Sequence, residues 1–252
     1  MEAEKLYEIA DMHHWLDYQP HEGHYGNYSP GQVVAAFKIS DVYHTFCFAR
    51  SSLCFLELDN YGQMIEKHDQ LHVTWAKAHF FLNALACYNY CVDLSWQAAW
   101  LYYAVDEYQV IEDEEQYNSL LEECYFDELW WQLTLLKQFK LRNHLQAFKS
   151  NRTFHLVREK YNYQKHRGTF HFVGMGQNPK KFMGSVNGFK PKLLAREEIN
   201  IDEWKEILIE FDLLFVRYFD QLINMLLPKD FANMPFDFTS VLKVYRKLKG
   251  HK

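Results

Sequence analysis

Glycine and proline are scarce in this chain of 252 residues, at 10 and 6, and neither occurs between Gln63 and Arg167. A β-sandwich or barrel needs a tight turn every ~8–12 residues, so an all-β architecture is excluded. Long apolar runs are missing as well. No stretch without Asp, Glu, Lys or Arg is longer than Ala78 to Val92, which is shorter than the ~20 residues of a bilayer span and holds His79, Asn83 and Asn89. The first residues, Met1 to Tyr18, carry acids where an export signal carries a basic region. No Cys-x-x-Cys pair occurs, and the five cysteines (47, 54, 87, 91 and 124) are odd in number and spaced as on helix faces, which reads as buried thiols of a reducing compartment. A cytoplasmic location without a membrane partner is the expectation. The Gly-Lys-Ser/Thr of a phosphate-binding loop is absent, Gly174-Met-Gly176-Gln-Asn-Pro179 lacks a third glycine, and Ser185 after Gly184 does not form a nucleophile elbow. No cofactor is implied.

What remains is apolar (48%) and poor in helix breakers, and it predicts an all-α, up-and-down helical bundle in one domain. The bundle core should span about residues 32–227, with a short helix in 228–252. Helices are predicted over Ala3 to Asp17, over Gln32 to about Asn60 with a restart at Ser40-Asp41, and over Met64 to Val105 with a second cap at Asp93 or Ser95. Others follow over Asp127 to Ser150 and Thr153 to Arg167, the latter ended by Gly168. Five glycines and two prolines then fall within 24 residues, and Asn187-Gly188 is a hairpin signal, so 168–194 reads as a Gly-rich loop or small β-hairpin. Asn200 with Glu203 marks the start of the last long helix, which Pro228 stops.

The net charge of −6 conceals a segregation. Residues 137–196 hold 14 Lys/Arg and the single acid Glu159, a net +13, while the rest of the chain is −19. Such a basic tract suits a phosphate backbone, because each neutralised phosphate releases counterions. The competing reading is internal neutralisation by residues 106–128, which carry ten acids and no Lys or Arg. Aromatic residues interleave with the basic tract at Phe148, Phe154, Tyr161, Tyr163, Phe170 and Phe172, any of which could stack on a base.

Within the predicted helix ending at Arg167, Arg158, Asn162 and His166 recur every four residues and share one stripe. A histidine there can exchange a proton with a ribose hydroxyl, an asparagine can orient it, and an arginine can neutralise a phosphoryl transition state. Around these residues, Tyr161-Asn162-Tyr163-Gln164-Lys165-His166-Arg167-Gly168 resembles the motif of the helical HEPN superfamily, an Arg, a polar residue often Asn, and a His four to six positions after the Arg. Asn162 and His166 match that motif, Tyr161 stands where the Arg is usual, and Arg158 lies eight positions before His166. The resemblance, loosely covering 70–227, implies a nucleic-acid-binding bundle, often a homodimer, with metal-independent ribonuclease activity in active members. The expected function is therefore binding of nucleic acid, chiefly RNA, with His166 as general acid or base, Asn162 as its orienter, and Arg158 or Arg167 as phosphate clamp in a catalytic member. Lys149, Arg152, Lys160, Lys165, Lys180 and Lys181 are the expected backbone contacts.

Two further readings stay open. His68, His72 and His79 fall at helical spacing and could approach one metal, as in a four-helix bundle resembling the DinB-like metalloproteins, and His13-His14 with His21 and His24 form a second cluster. The other is a structural or interaction protein without catalysis.

Overall fold

The computed structural model describes residues 2–176, 178, 185, 187–189 and 196–250. It is an all-α helical bundle. A 3-10 turn at Ala3–Lys5 leads into α1 (Leu6–Ile9), and a second at His13–Tyr18 precedes α2 (Glu22–Asn27) and the long α3 (Pro30–Phe55). After a 3-10 turn at Gly62–Met64 comes α4 (Gln70–Ala104), followed by α5 (Gln109–Glu112), α6 (Glu114–Glu122), α7 (Phe126–Leu135), α8 (Phe139–Lys149) and α9 (Arg152–Arg167). Strands β1 (His171–Phe172) and β2 (Glu198–Ile199) flank the Gly-rich region, and α10 (Ile201–Leu226) and α11 (Phe238–Gly250) close the chain. No helix among the described residues is long and apolar enough to cross a membrane.

The long helices begin where the chemistry allows. Ser29 accepts from the N–H of Gln32 and Gln32 Oε1 accepts from the N–H of Ser29, with Pro30 inside the first turn, so α3 starts two residues before the predicted Gln32. Asp69 caps α4 through the N–H of His72 at 3.0 Å. Neither helix is interrupted at its predicted restart. Asp41 is engaged by Lys38 at 2.9 Å, Ser95 bonds back to the Val92 carbonyl at 2.7 Å, and Asp93 pairs with α9, so none of these side chains is left to cap a new helix. Gly31 lets the start of α3 meet the end of α4, since a Cβ there would stand 2.3 Å from the Tyr102 carbonyl oxygen.

Two other expectations are corrected, and a third falls largely outside the described residues. The first helix does not run from Ala3 to Asp17, because the Asp11 carboxylate takes the N–H of His13 and the chain resumes as a 3-10 turn. The helix over Asp127 to Ser150 is two helices joined at Lys137, whose φ of 57° is left-handed, with Gln138 N–H donating to the Leu133 carbonyl at 2.8 Å. Within 168–194 the strand β1 forms no hairpin: it pairs in parallel with β2, His171 opposite Glu198 and Phe172 opposite Ile199. Asn187 and Gly188 do adopt positive φ, at 50° and 78°, while the residues on either side that would make a hairpin fall largely outside the described set.

One apolar core runs from Ala3 to Phe231, wider than the 32–227 expected. Trp15, fully buried, meets Phe46, Phe215 and Phe219 edge-on, so the N-terminal turns are part of the core. At its centre Arg50 on α3 grips Asp212 on α10 with two hydrogen bonds of 2.9 and 2.7 Å, and Tyr88 on α4 donates to the same carboxylate at 2.8 Å. This wholly buried triad ties the three longest helices together. Arg50 also donates to the Ala10 carbonyl at 2.9 Å, which latches the end of α1. On the far side α11 packs against α2, where His24 and His21 bond the carbonyls of Phe231 and Met234.

Candidate nucleic-acid interface

Helix α9 is built to present one polar face. Asn151 caps it through the N–H groups of Thr153 and Phe154, and Thr153, Phe154 and Val157 are buried against α4, α8 and α10. Thr153 donates to Glu210 on α10 at 2.5 Å, and Phe154 meets Phe148 edge-on, which fixes the rotation of the helix. Gly168, at a φ of 114°, ends it where predicted. Of the side chains left outside, His155, Glu159, Asn162, His166 and Arg167, together with the half-buried Arg158 and Tyr163 and with Glu197, line an open polar groove of about 490 Å³. Sequence spacing therefore brought Arg158, Asn162, His166 and Arg167 to one place.

Their states differ. Arg158 is anchored: its guanidinium pairs with Asp93 on α4 at 2.9 Å, reaches Asn89 at 3.5 Å, and lies over the Trp96 and Tyr161 rings. Asn162, His166 and Arg167 are exposed and have no protein partner, so no hydrogen bond joins Asn162 to His166. Tyr161 sets its ring edge-on to Tyr90, and burial, with the Tyr90 hydroxyl next in weight, pushes its phenol up to about 12. It stays neutral and places no cation at that position.

A second cavity, of about 610 Å³, shares His155 and Arg158 with the first and continues to Lys149, Phe126, Asp127 and Tyr125. Lys149 sits over the Phe126 ring and pairs with Asp127 at 3.5 Å. Lys160 is ion-paired with Glu197, which lines the first groove, and lies over the Trp204 ring at 4.9 Å, so its charge is already matched within the fold rather than offered to a ligand. Arg152 and Lys165 are exposed without an acidic partner, and Lys180 and Lys181 lie outside the described residues. Four of the six interleaved aromatics are closed to a base, and Tyr161 and Tyr163 are half-buried. Phe148, Phe154, Phe170 and Phe172 are buried and Tyr163 stacks on Phe170, whereas the exposed ring near the grooves is Tyr125, outside the basic tract. Its position within the acidic segment hid it from a reading based on charge.

Among the described residues one ion pair, Lys149 with Asp127, links the basic tract 137–196 to the acidic segment 106–128. Lys137, Lys140, Arg152, Lys165, Arg167 and Arg196 are all exposed and meet no acid, so among the described residues the acidic segment neutralises Lys149 alone.

The histidines of the metal reading are occupied or apart. His68 precedes α4, His72 Nδ1 bonds Asp69 at 2.7 Å, and His79 stacks on Trp75. His13 bonds Tyr43, His14 bonds Asp220, and His21 and His24 hold backbone carbonyls. Among the described residues no group of three or more His, Cys, Asp or Glu side chains could hold a metal ion. In comparisons with known proteins, no family model, no curated protein and no solved structure matches the chain.

Proposed function

We propose that the outward face of α9 binds single-stranded RNA through its phosphates, with Arg152, Lys165 and Arg167 as mobile contacts and Arg158 as a fixed one. The observation that carries this reading is that Arg152, Lys165 and Arg167 on α9 are exposed without acidic partners, Arg167 lining a groove in which Asn162 and His166 are unpartnered as well. An unpaired cation loses nothing when a phosphate arrives, whereas Lys149 and Lys160 would first have to release a carboxylate. Tyr125, two-thirds exposed at the far end of the second cavity, offers a face for a base.

Metal-independent cleavage is the second reading, favoured by the unpartnered imidazole of His166 next to Asn162 and Arg167. One protomer supplies a single histidine at that end. His155 is eleven residues away, a helical rise of ~16 Å, too far to share one phosphodiester.

The deciding measurement is binding of a labelled single-stranded RNA across a salt titration with EDTA present. Binding should weaken steeply with salt, and in Arg152→Ala/Lys165→Ala/Arg167→Ala the slope should fall by about 2, at ~0.7 per phosphate contact. Absence of binding at low salt refutes the reading. If product forms in the same lanes, His166→Ala should abolish it while leaving binding; a wild-type rate in that variant removes the catalytic role.

A further inference from the structure

Helices α2, α3, α5 and α6 surround an open cavity of about 280 Å³ that shares no residue with the two cavities beside α9. Val33 and Val34 lie one turn before Phe37 on the same stripe of α3, and all three line it. Val110 and Ile111 come from α5, Tyr117 from α6, one turn after Glu114, and Tyr25 from α2. Three aromatic rings thus join four aliphatic side chains. Tyr25 and Tyr117 are half-buried and Phe37 is 52% exposed, so the aromatic wall is within reach of solvent.

The charged groups lining the cavity are all of one sign. Glu112 and Glu114 are exposed, and among the described residues neither carboxylate has a partner. Burial raises the Tyr25 phenol, and the charge of Glu22, also exposed, adds to that rise, which places a third carboxylate near the same wall. No Lys, Arg or His is among the described lining residues. Two cations touch lining residues and both are engaged: Lys38, 5.6 Å from the centre of the Tyr117 ring, is matched by Asp41 at 2.9 Å. Lys247 reaches the Tyr25 carbonyl at 3.4 Å and bonds the Tyr108 hydroxyl at 2.8 Å.

Aromatic and aliphatic walls beside unpaired carboxylates select a narrow class of ligand. An anion would be repelled, and a neutral apolar molecule would leave the carboxylates without a role. A hard metal cation needs a shell of oxygen ligands that this wall does not supply. A primary ammonium needs acceptors for its N–H groups, whereas an N-methylated ammonium carries its charge under methyl groups that pack on rings and aliphatic side chains. The cavity lies just under the ~300–1,000 Å³ of drug-sized sites, which suits a ligand of a few heavy atoms.

We propose that this cavity binds a small N-methylated ammonium ion of the choline type, its methyl groups against Tyr25, Phe37 and Tyr117 and its charge facing Glu112 and Glu114. The ligand is the free cation rather than its phosphate ester, whose anion would meet the two glutamates. The site does not depend on RNA binding by α9.

Titration of choline into the full chain, read by saturation-transfer NMR on the methyl protons, tests it. Choline should bind with a Kd of ~1 mM or tighter, and dimethylbutanol, in which carbon replaces the nitrogen, about tenfold more weakly or not at all. Phosphocholine should also bind more weakly than choline. Glu112→Gln/Glu114→Gln should weaken choline about tenfold while leaving dimethylbutanol unchanged. Phe37→Leu keeps an apolar side chain but removes the ring, and should weaken choline about threefold. All three positions are exposed, so circular dichroism melts of these variants should match wild type. Absence of saturable choline binding by ~20 mM overturns the proposal, as does equal binding of dimethylbutanol or phosphocholine, or an unchanged choline affinity in either variant.

Discussion

Removing Asp212 should do more damage than any other single truncation in the helix core. The carboxylate accepts two bonds from Arg50 and one from Tyr88, and both it and Arg50 are wholly buried. In Asp212→Ala the guanidinium keeps its charge, has no route to water, and is left with the Ala10 carbonyl alone. Breaking one side of a buried pair costs about 3–5 kcal/mol, a large part of the ~5–15 kcal/mol that holds a typical domain folded. For a chain of this length that corresponds to a fall in Tm of ~6–20 °C. Urea unfolding followed by circular dichroism should show the midpoint falling at constant slope. The companion variant Arg50→Met/Asp212→Leu/Tyr88→Phe removes charge, counter-charge and hydroxyl together. It should lie close to wild type or above it, because the desolvation of two ions disappears along with their attraction, and because Arg50 Nη1 is unpartnered already. A loss below ~1 kcal/mol in Asp212→Ala would show that Arg50 finds other partners and would refute the argument.

Gly31→Ala should destabilise by ~1–3 kcal/mol, since the new methyl group would overlap the Tyr102 carbonyl and push the start of α3 off α4; chemical unfolding reads it, and an unchanged midpoint would contradict the close approach. Burial holds the His24 imidazole below its ordinary value, so the folded state prefers it neutral while the unfolded chain takes up a proton. Stability should accordingly be level above pH ~6.5 and decline as pH falls below it, and His24→Gln should show a shallower decline in the urea midpoint; equal slopes would remove the assignment. Arg50→Met alone should unlatch the end of α1 and raise the rate of limited proteolysis near Ala10 and Asp11, whereas an unchanged cleavage pattern would mean the Arg50–Ala10 bond does not hold that segment.

Helix boundaries set by local chemistry were legible in the sequence, and those set by distant partners were not. Asn200 caps α10 and Gly168 ends α9, each by residues adjacent in the chain. The bend at Lys137 carries no glycine or proline to announce it; a lysine there adopts the left-handed conformation at a cost of ~1 kcal/mol or more, which packing on both sides must offset. The continuity of α4 past Asp93 depends on Arg158, 65 residues later, taking up the carboxylate that would otherwise cap a new helix. The same pair determines the candidate site. Periodicity placed Arg158 on the stripe with Asn162 and His166, but only the fold shows that its charge is already shared with Asp93. Lys160 counted as a ligand contact on composition and is consumed by Glu197, because its position on α9 turns it toward β2 and α10. The parallel pairing of β1 and β2 joins residues 27 apart, beyond the reach of turn signals.

The seating of α11 on α2 sets a schedule for biogenesis. Residues 22–27 emerge from the ribosome before residues 231–250, which supply their binding face. At ~5–20 residues per second the intervening ~200 residues take on the order of 10–40 s to make, and throughout that interval His24 and Gly26 wait without their partners. The nascent chain thus carries an uncovered patch that only synthesis of residues 231–250 can close, and a chaperone that retains the chain until then would act on α2 first.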